Sequence, residues 1–327
     1  MKKAITIVDV ARLAGVSRTT ASDALNNNGR VSEPTRLMVE RAASALGYRP
    51  NAAAQSLRTA TKGAIGIHLP EVMTRIDYYL QIVYGALEEA ARQQTNVTLI
   101  TSQRLFGGHR PPVDGVILLD PLAHDTAATQ LMDLDVPVVT LEPADGADQA
   151  GIVSADHEAG VRELLDHFVA QGASTPALLA SPRSTNWGTR VQTAYRQWCR
   201  ENGKRPLVAE RTFGSDSATL AEAARELLSL DEGIDAVLCG PDGSALVVMD
   251  VLQDSGKQPG DDVQIAALVD NPALAYVDPP VTAIDLAPRP AGARCVELLL
   301  GILRGERAPD EVVPLEIEVQ YRASTRD

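Results

Sequence analysis

The spacing of apolar residues along the chain changes near residue 63. Before that point they are mostly small and recur at intervals of three and four, the pattern of short amphipathic helices. Thr6 followed three residues later by Asp9 has the form of a capping box, which predicts a helix from Ile7 to Gly15. Ser17 stands three residues before Thr20 and caps a second helix over residues 18–25, leaving Gly15, Val16 and Ser17 as a tight turn. Ser32 caps a third helix that Pro34 enters in its first turn; Val39, Ala42, Ala43 and Leu46 stripe it and Gly47 ends it. Val10, Val16, Ala21 and Leu25 then meet in a small core, while Ala11 and Ala14 allow close approach. Two short helices joined by a glycine turn make a helix-turn-helix, and the third completes a minimal DNA-binding fold. The second helix presents Arg18, Thr19 and Ser22 outward near its start, where such motifs meet base edges in the major groove. Arg18 can pair with both acceptors of a guanine.

Residues 50–58, PNAAAQSLR, form a further stretch of helical composition, with Asn51 as its cap. So short a helix is marginal in water and forms only when something supports it. Leu57 at its end has two readings, a wedge between base steps in the minor groove or a leucine packed on the next domain.

Beyond residue 63 short apolar runs alternate with longer helical patterns. Strands are predicted over 64–69, 97–101, 116–119 and 138–141, with helices near 78–94 and 126–134. The alternation recurs with strands around 177–180, 207–211, 236–239 and 263–268 and helices around 187–202, 217–229 and 243–255. Two parallel α/β lobes follow. VDGVIL at 113–118 and IDAVLC at 234–239 look like corresponding strands, one per lobe. Between the strands near 101 and 113, SQRLFGGHRPP is too short and too rich in glycine and proline for a crossover helix, so a helix is missing over 102–112. From Pro314 the chain alternates as one final strand, and no heptad tail follows it, which predicts a dimer rather than a tetramer.

Charge sharpens this division. Of the formal net charge of −13, residues 1–62 carry +6, from ten basic and four acidic side chains, which leaves −19 on residues 63–327. A basic head on an acidic body fits a nucleic-acid-binding module joined to a unit that avoids DNA. No apolar run is long enough to span a bilayer and no secretory signal is evident, which places the chain in the cytoplasm. Cys199, Cys239 and Cys295 fit no metal-ligand spacing and read as buried thiols; His68, His109, His124, His157 and His167 are scattered and read as structural or solvated. No phosphate-binding loop, zinc motif or nucleophile elbow is present, and no acid and base pair can be assembled by spacing, so no catalytic residue, metal or cofactor is expected.

From Thr6 to Arg58 the sequence resembles the amino-terminal region of the lac repressor family. Asp9-Val10-Ala11, Ala14-Gly15-Val16-Ser17, Gly29-Arg30-Val31-Ser32, Leu46-Gly47-Tyr48 and Pro50-Asn51 carry the resemblance in register. It implies an all-α helix-turn-helix DNA-binding domain plus an α/β two-lobed effector domain like periplasmic sugar-binding proteins. The divisions would be residues 1–58, including a hinge helix over 51–58, a linker over 59–62, and a unit over 63–327 that binds effector and dimerises. By position, Arg18 and Thr19 match the family's base readers, Thr6, Ser17, Thr20, Asn26 and Ser32 its phosphate contacts, and Leu57 its minor-groove wedge. Asp23 stands where many members carry arginine, so operator sequence does not transfer from relatives.

The same resemblance implies a homodimer on a pseudo-palindromic double-stranded operator and a small-molecule effector in a cleft between the lobes. Asp77, Tyr78 and Tyr79 match the family's first cleft residues, although adjacent tyrosines also suit packing. Arg190 matches the cleft arginine, Trp187 would stand at the rim or in the core, and Asp270 matches a strand-end aspartate or caps a turn. Gly240-Pro241-Asp242 places proline where some sugar-binding members have an amide. Trp187 and Asp270 favour a sugar, and a nucleobase held between the tyrosines is the alternative. The function implied is a ligand-controlled transcriptional repressor; the rival is a cytosolic sugar-binding protein without DNA function, which would need neither the capped helices nor Leu57.

Overall fold

The first helix, α1 (Ile7–Leu13), begins where Thr6 donates its backbone N–H and its hydroxyl to one carboxylate oxygen of Asp9, at 3.0 and 2.7 Å. Gly15, at φ +65°, makes the turn into α2 (Arg18–Leu25), where the Thr20 N–H donates to Ser17 Oγ at 3.0 Å. The third helix, α3 (Glu33–Leu46), starts at Ser32 with Pro34 in its first turn and stops at Gly47 in the left-handed region. Ser32 differs from the expected cap, because its hydroxyl pairs with the Thr35 hydroxyl at 2.8 Å instead of taking a backbone N–H. Val10, Ala11, Ala14, Ala21, Ala24, Val39, Ala42 and Ala43 form the core, with Val16, Leu25 and Leu46 half-buried around it.

These helices belong to the first of two compact units, Met1–Lys62 and Gly63–Asp327, in a computed structural model that describes residues 5–25, 31–48, 62–70, 76–100, 110–122, 125–144, 146–212 and 214–325. Asn26, Asn51, Leu57, the hinge helix over 51–58 and most of the segment expected to lack a crossover helix lie outside the described residues.

The second unit holds two sheets. The first contains β1 (Ala64–His68), β2 (Asn96–Ile100), β3 (Gly115–Leu119), β4 (Val138–Leu141) and β5 (Gly151–Ala155), with helices α4 (Asp77–Arg92) and α5 (Thr126–Met132). The chain then passes through α6 (His157–Ala170) into the second sheet, built from β6 (Pro176–Ala180), β7 (Val208–Glu210), β8 (Ala236–Cys239), β9 (Gln264–Ala267) and β10 (Thr282–Asp285). Helices α7 (Asn186–Glu201), α8 (Ser217–Ser229) and α9 (Ser244–Asp254) connect these strands, and α10 (Pro288–Leu303), β11 (Val312–Leu315) and β12 (Glu318–Gln320) close the chain. The strand orders are β11-β5-β4-β3-β1-β2 and β12-β10-β9-β8-β6-β7, parallel throughout except for β12 against β10.

The single final strand expected from Pro314 is in fact two strands in different sheets, because the chain crosses between lobes at Glu316 and Ile317. Two other crossings precede it, from β5 into α6 and from β10 into α10. Helix α6 packs Leu164, Leu165 and Phe168 on the second sheet, whereas α10 packs Cys295, Val296 and Leu299 on the first. Three connections therefore tie the lobes together. The crossing of α4 and α10 is glycine on glycine: a Cβ at Gly85 would collide with the Arg289 carbonyl, and one at Gly292 with the Ile82 carbonyl.

The paired sequence runs occupy the same place in each sheet, as β3 and β8. Each is preceded by an aspartate that closes the lobe's first strand: Asp114 accepts from the Gly63 and Ala64 N–H groups at 2.6 and 3.3 Å, and Asp235 from those of Ser174 and Thr175 at 2.7 and 2.8 Å. All three cysteines are free and buried. Among the described residues no helix is long and apolar enough to cross a membrane.

Candidate functional site

In the first unit, Arg18 and Thr19 stand exposed on the first turn of α2, and Ser22 and Asp23 lie half-buried one turn on. Exposed cations and hydroxyls beside a helix start are the groups that meet phosphates and base edges. Ser17 Oγ and Thr20 Oγ1 lie 2.8 Å apart and share one hydrogen, so the pair retains a second hydroxyl hydrogen to donate outward. Thr6 is committed differently, since both its donors already serve Asp9.

In the second unit the parallel strands of each lobe point their carboxyl ends toward the other lobe, and a cleft lies there. Two carboxylates follow directly on adjacent strand ends. Asp120 comes after β3 at φ +42° and Glu142 after β4 at φ +67°, left-handed conformations that cost a non-glycine residue energy and often accompany function. Asp120 is 3% exposed; its Oδ2 accepts from the Tyr79 hydroxyl at 2.8 Å, and its Oδ1 has no hydrogen-bond partner. Burial pushes its pKa up to about 7, the Tyr79 bond opposing and the nearby Glu142 charge adding to the shift.

Glu142, 6% exposed, joins the two lobes. Its Oε1 accepts from the Ala155 N–H at 3.2 Å and lies 2.8 Å from His157 Nε2, while Arg190 Nη1 stands 3.5 Å from Oε2. Arg190 also donates to the Ala155 carbonyl at 3.2 Å and faces Glu158 at 3.5 Å. Asp156 caps α6 by accepting from the Ala159 N–H at 3.0 Å. The His157 ring meets Trp187 edge-on, with centroids 6.4 Å apart, and Tyr78 and Tyr79 are likewise T-shaped at 5.1 Å. Asp242, whose carboxyl burial holds above its ordinary pKa, completes the polar wall, bonded by the Gly243 backbone N–H and by the Asn271 amide at 3.5 Å.

Of the residues singled out in the sequence, Tyr78, Tyr79 and Trp187 line this cleft. Asp77 is the exposed first residue of α4 and takes a long bond from Gln81 at 3.5 Å. Arg190 stands behind Glu142 rather than on the wall. Asp270 is paired through both oxygens with the Arg322 guanidinium, at 2.9 and 2.6 Å, and its Oδ1 also accepts from the Asn271 N–H. Asp120, Glu142, His157 and Asp242 were not singled out as cleft residues. The first two had a signal, an acid directly after an apolar run, in VILLD and VVTLE. His157 had none, since its partner is distant until the lobes form.

A model of the lacI family of bacterial regulatory proteins matches residues 6–51, and a model of periplasmic binding protein-like domains matches residues 165–325. The HTH-type transcriptional regulator CelR of Thermobifida fusca is 30% identical, the alignment covering 98% of each chain. Among solved structures, the lac repressor dimer bound to operator and the anti-inducer ONPF is 27% identical and superposes with a TM-score of 0.82 over 99% of each chain. A complex of the transcriptional regulator CelR with cellobiose is 26% identical, with a TM-score of 0.72 over 98% of this chain and 99% of that one. With the helix-turn-helix matched and CelR aligned at 30% identity over 98% of the sequence, the chain belongs to the lacI family of bacterial regulatory proteins.

Proposed function

We propose that the protein is a sequence-specific transcriptional repressor of the cytoplasm that binds a pseudo-palindromic operator as a homodimer and responds to a sugar held in the cleft of residues 63–327. The observation that carries this reading is the pair Arg18 and Thr19, exposed on the first turn of a capped second helix, in a chain similar over its whole length to CelR. Arg18 and Thr19 read bases; Ser17, Thr20, Asn26 and Ser32 hold phosphates, and Thr6 joins them by turning its hydroxyl away from Asp9; Ser22 lies beside the readers. Tyr78, Tyr79 and Trp187 face the effector, with Asp77, Arg190 and Asp270 around it. The related structures hold an operator in one case and cellobiose in another, and the same two ligand classes are proposed here.

Ligand closure of the lobes alters the spacing of the paired segments at 51–58, which Asn51 caps and Leu57 anchors in the minor groove. A helix that short is marginal, so a coupling of about 1–3 kcal/mol is enough to change operator occupancy. The protein works by binding rather than by catalysis. Selection of bound duplexes from a random pool by the full-length protein tests the reading. It should enrich a palindrome with a flexible pyrimidine-purine centre. No enriched motif, with or without candidate sugars, would sink it. Leu57→Ala should then lower affinity for the selected operator while sugar affinity persists.

A further inference from the structure

The charge of the cleft wall is lopsided. Its ionisable side chains other than the tyrosines are Asp120, Glu142, Asp242 and His157, and among the described residues no lysine or arginine lines it. Glu142 is matched from behind by Arg190 and bonded to His157. Among the described residues neither Asp120 nor Asp242 is ion-paired with a lysine or arginine. Asp120 Oδ1 is a buried acceptor without a hydrogen bond, and Asp242 is held by the Gly243 backbone N–H and, at 3.5 Å, by the Asn271 amide, both neutral donors. Holding a carboxylate after β3 in a left-handed conformation costs energy that an apolar residue in extended backbone would avoid.

We propose that the cleft selects a sugar bearing a protonated amine over its neutral or anionic counterparts, with Asp120 and Asp242 receiving the ammonium. This rests on the reading of the cleft as a sugar-effector site and narrows it. A phosphate or carboxylate placed here would meet the acidic groups of Asp120, Asp242 and Glu142 with no lysine or arginine among the described lining residues, an arrangement that disfavours an anion. A hydroxyl can supply one hydrogen to the orphaned oxygen. An ammonium supplies three, together with the missing charge, and the faces of Tyr78 and Trp187 suit a desolvated cation. The described wall thus offers acceptors and aromatic surface without a lysine or arginine, the complement of an amino sugar.

The test is calorimetric titration of the full-length protein near neutral pH with matched pairs: glucosamine and glucose, galactosamine and galactose, and the diamino analogue of cellobiose with cellobiose itself. Glucose 6-phosphate and spermidine complete the set. The amine member of at least one pair should bind about tenfold or more tighter than its neutral partner, a difference of about 1.4 kcal/mol. Asp120→Asn should erase most of that preference, and Asp242→Asn, read independently, should reduce it. Equal or tighter binding of the neutral member overturns the charge selection while leaving the sugar reading intact. Binding of spermidine alone, lost in Asp120→Asn, overturns the sugar reading and with it the amino-sugar proposal, leaving only cation selection. Tightest binding by glucose 6-phosphate, or no binding by any member, overturns the proposal outright.

Discussion

Asp120 concentrates the chemistry of the cleft in one residue. It faces Tyr78 and Tyr79 from α4 and Glu142 from the end of β4, which is itself held by His157 and Arg190. Burial raises its pKa from 3.8 to about 7, so the contribution of this group to stability is fully present below the unfolded value and fades as pH rises through about 7. Asp120→Asn removes the titration. The stability of the variant relative to wild type, measured by denaturant unfolding of the ligand-free protein, should therefore improve steadily from about pH 5 to about pH 8. Parallel pH profiles would show that Asp120 keeps an ordinary pKa. At this scale the sequence was half legible: an acid ending an apolar run marks a strand end, but its unpaired oxygen and its tyrosine partner, 41 residues away, belong to the folded chain.

At the scale of elements, local signals and long-range packing part company. Helices α1 to α3 follow from local spacings, and the structure has them within a residue or two of the expected limits, with Ser32 not bonding a backbone N–H. Helix α10 and strands β5 and β10 left no comparable mark. The two strands are only five and four residues long, and the place of all three elements depends on which lobe they join. The duplicated aspartates make a paired prediction: Asp235→Ala removes the acceptor of the exposed Ser174 N–H and hydroxyl and of the half-buried Thr175 N–H just before β6, and should cost about 0.5–1.5 kcal/mol in denaturant unfolding. Asp114→Ala should do the same to β1. A negligible loss at both positions would argue against the clamp. Gly292→Ala forces α10 off α4 and should destabilise by about 1–3 kcal/mol or more, whereas alanine at Gly172, in open space at φ +93°, meets only backbone strain of about 1 kcal/mol.

At the scale of the whole molecule, the basic first unit and the acidic second one set how operator binding responds to salt. If the dimer neutralises six or more phosphates, affinity should fall on the order of 10³-fold between about 50 and 200 mM salt in a fluorescence-anisotropy titration. Arg18→Ala should leave most of that slope in place and lose about 1–3 kcal/mol of discrimination at the base it reads. A slope that collapses with discrimination unchanged would make Arg18 a phosphate contact instead.

The amino-acid sequence by itself determined the three amino-terminal helices, the alternation of strands and helices in two lobes, and the basic and acidic division of the chain. These are written in caps, periodicities and composition that act across a few neighbouring residues. Only the tertiary structure decided that the last strand is two, that α6 and α10 serve opposite lobes, and that Glu142 meets His157 and Arg190 beside an Asp120 whose Oδ1 has no hydrogen bond. The reason is geometric: parallel strands bring their carboxyl ends to one edge, so residues far apart in sequence become neighbours only when both sheets have formed.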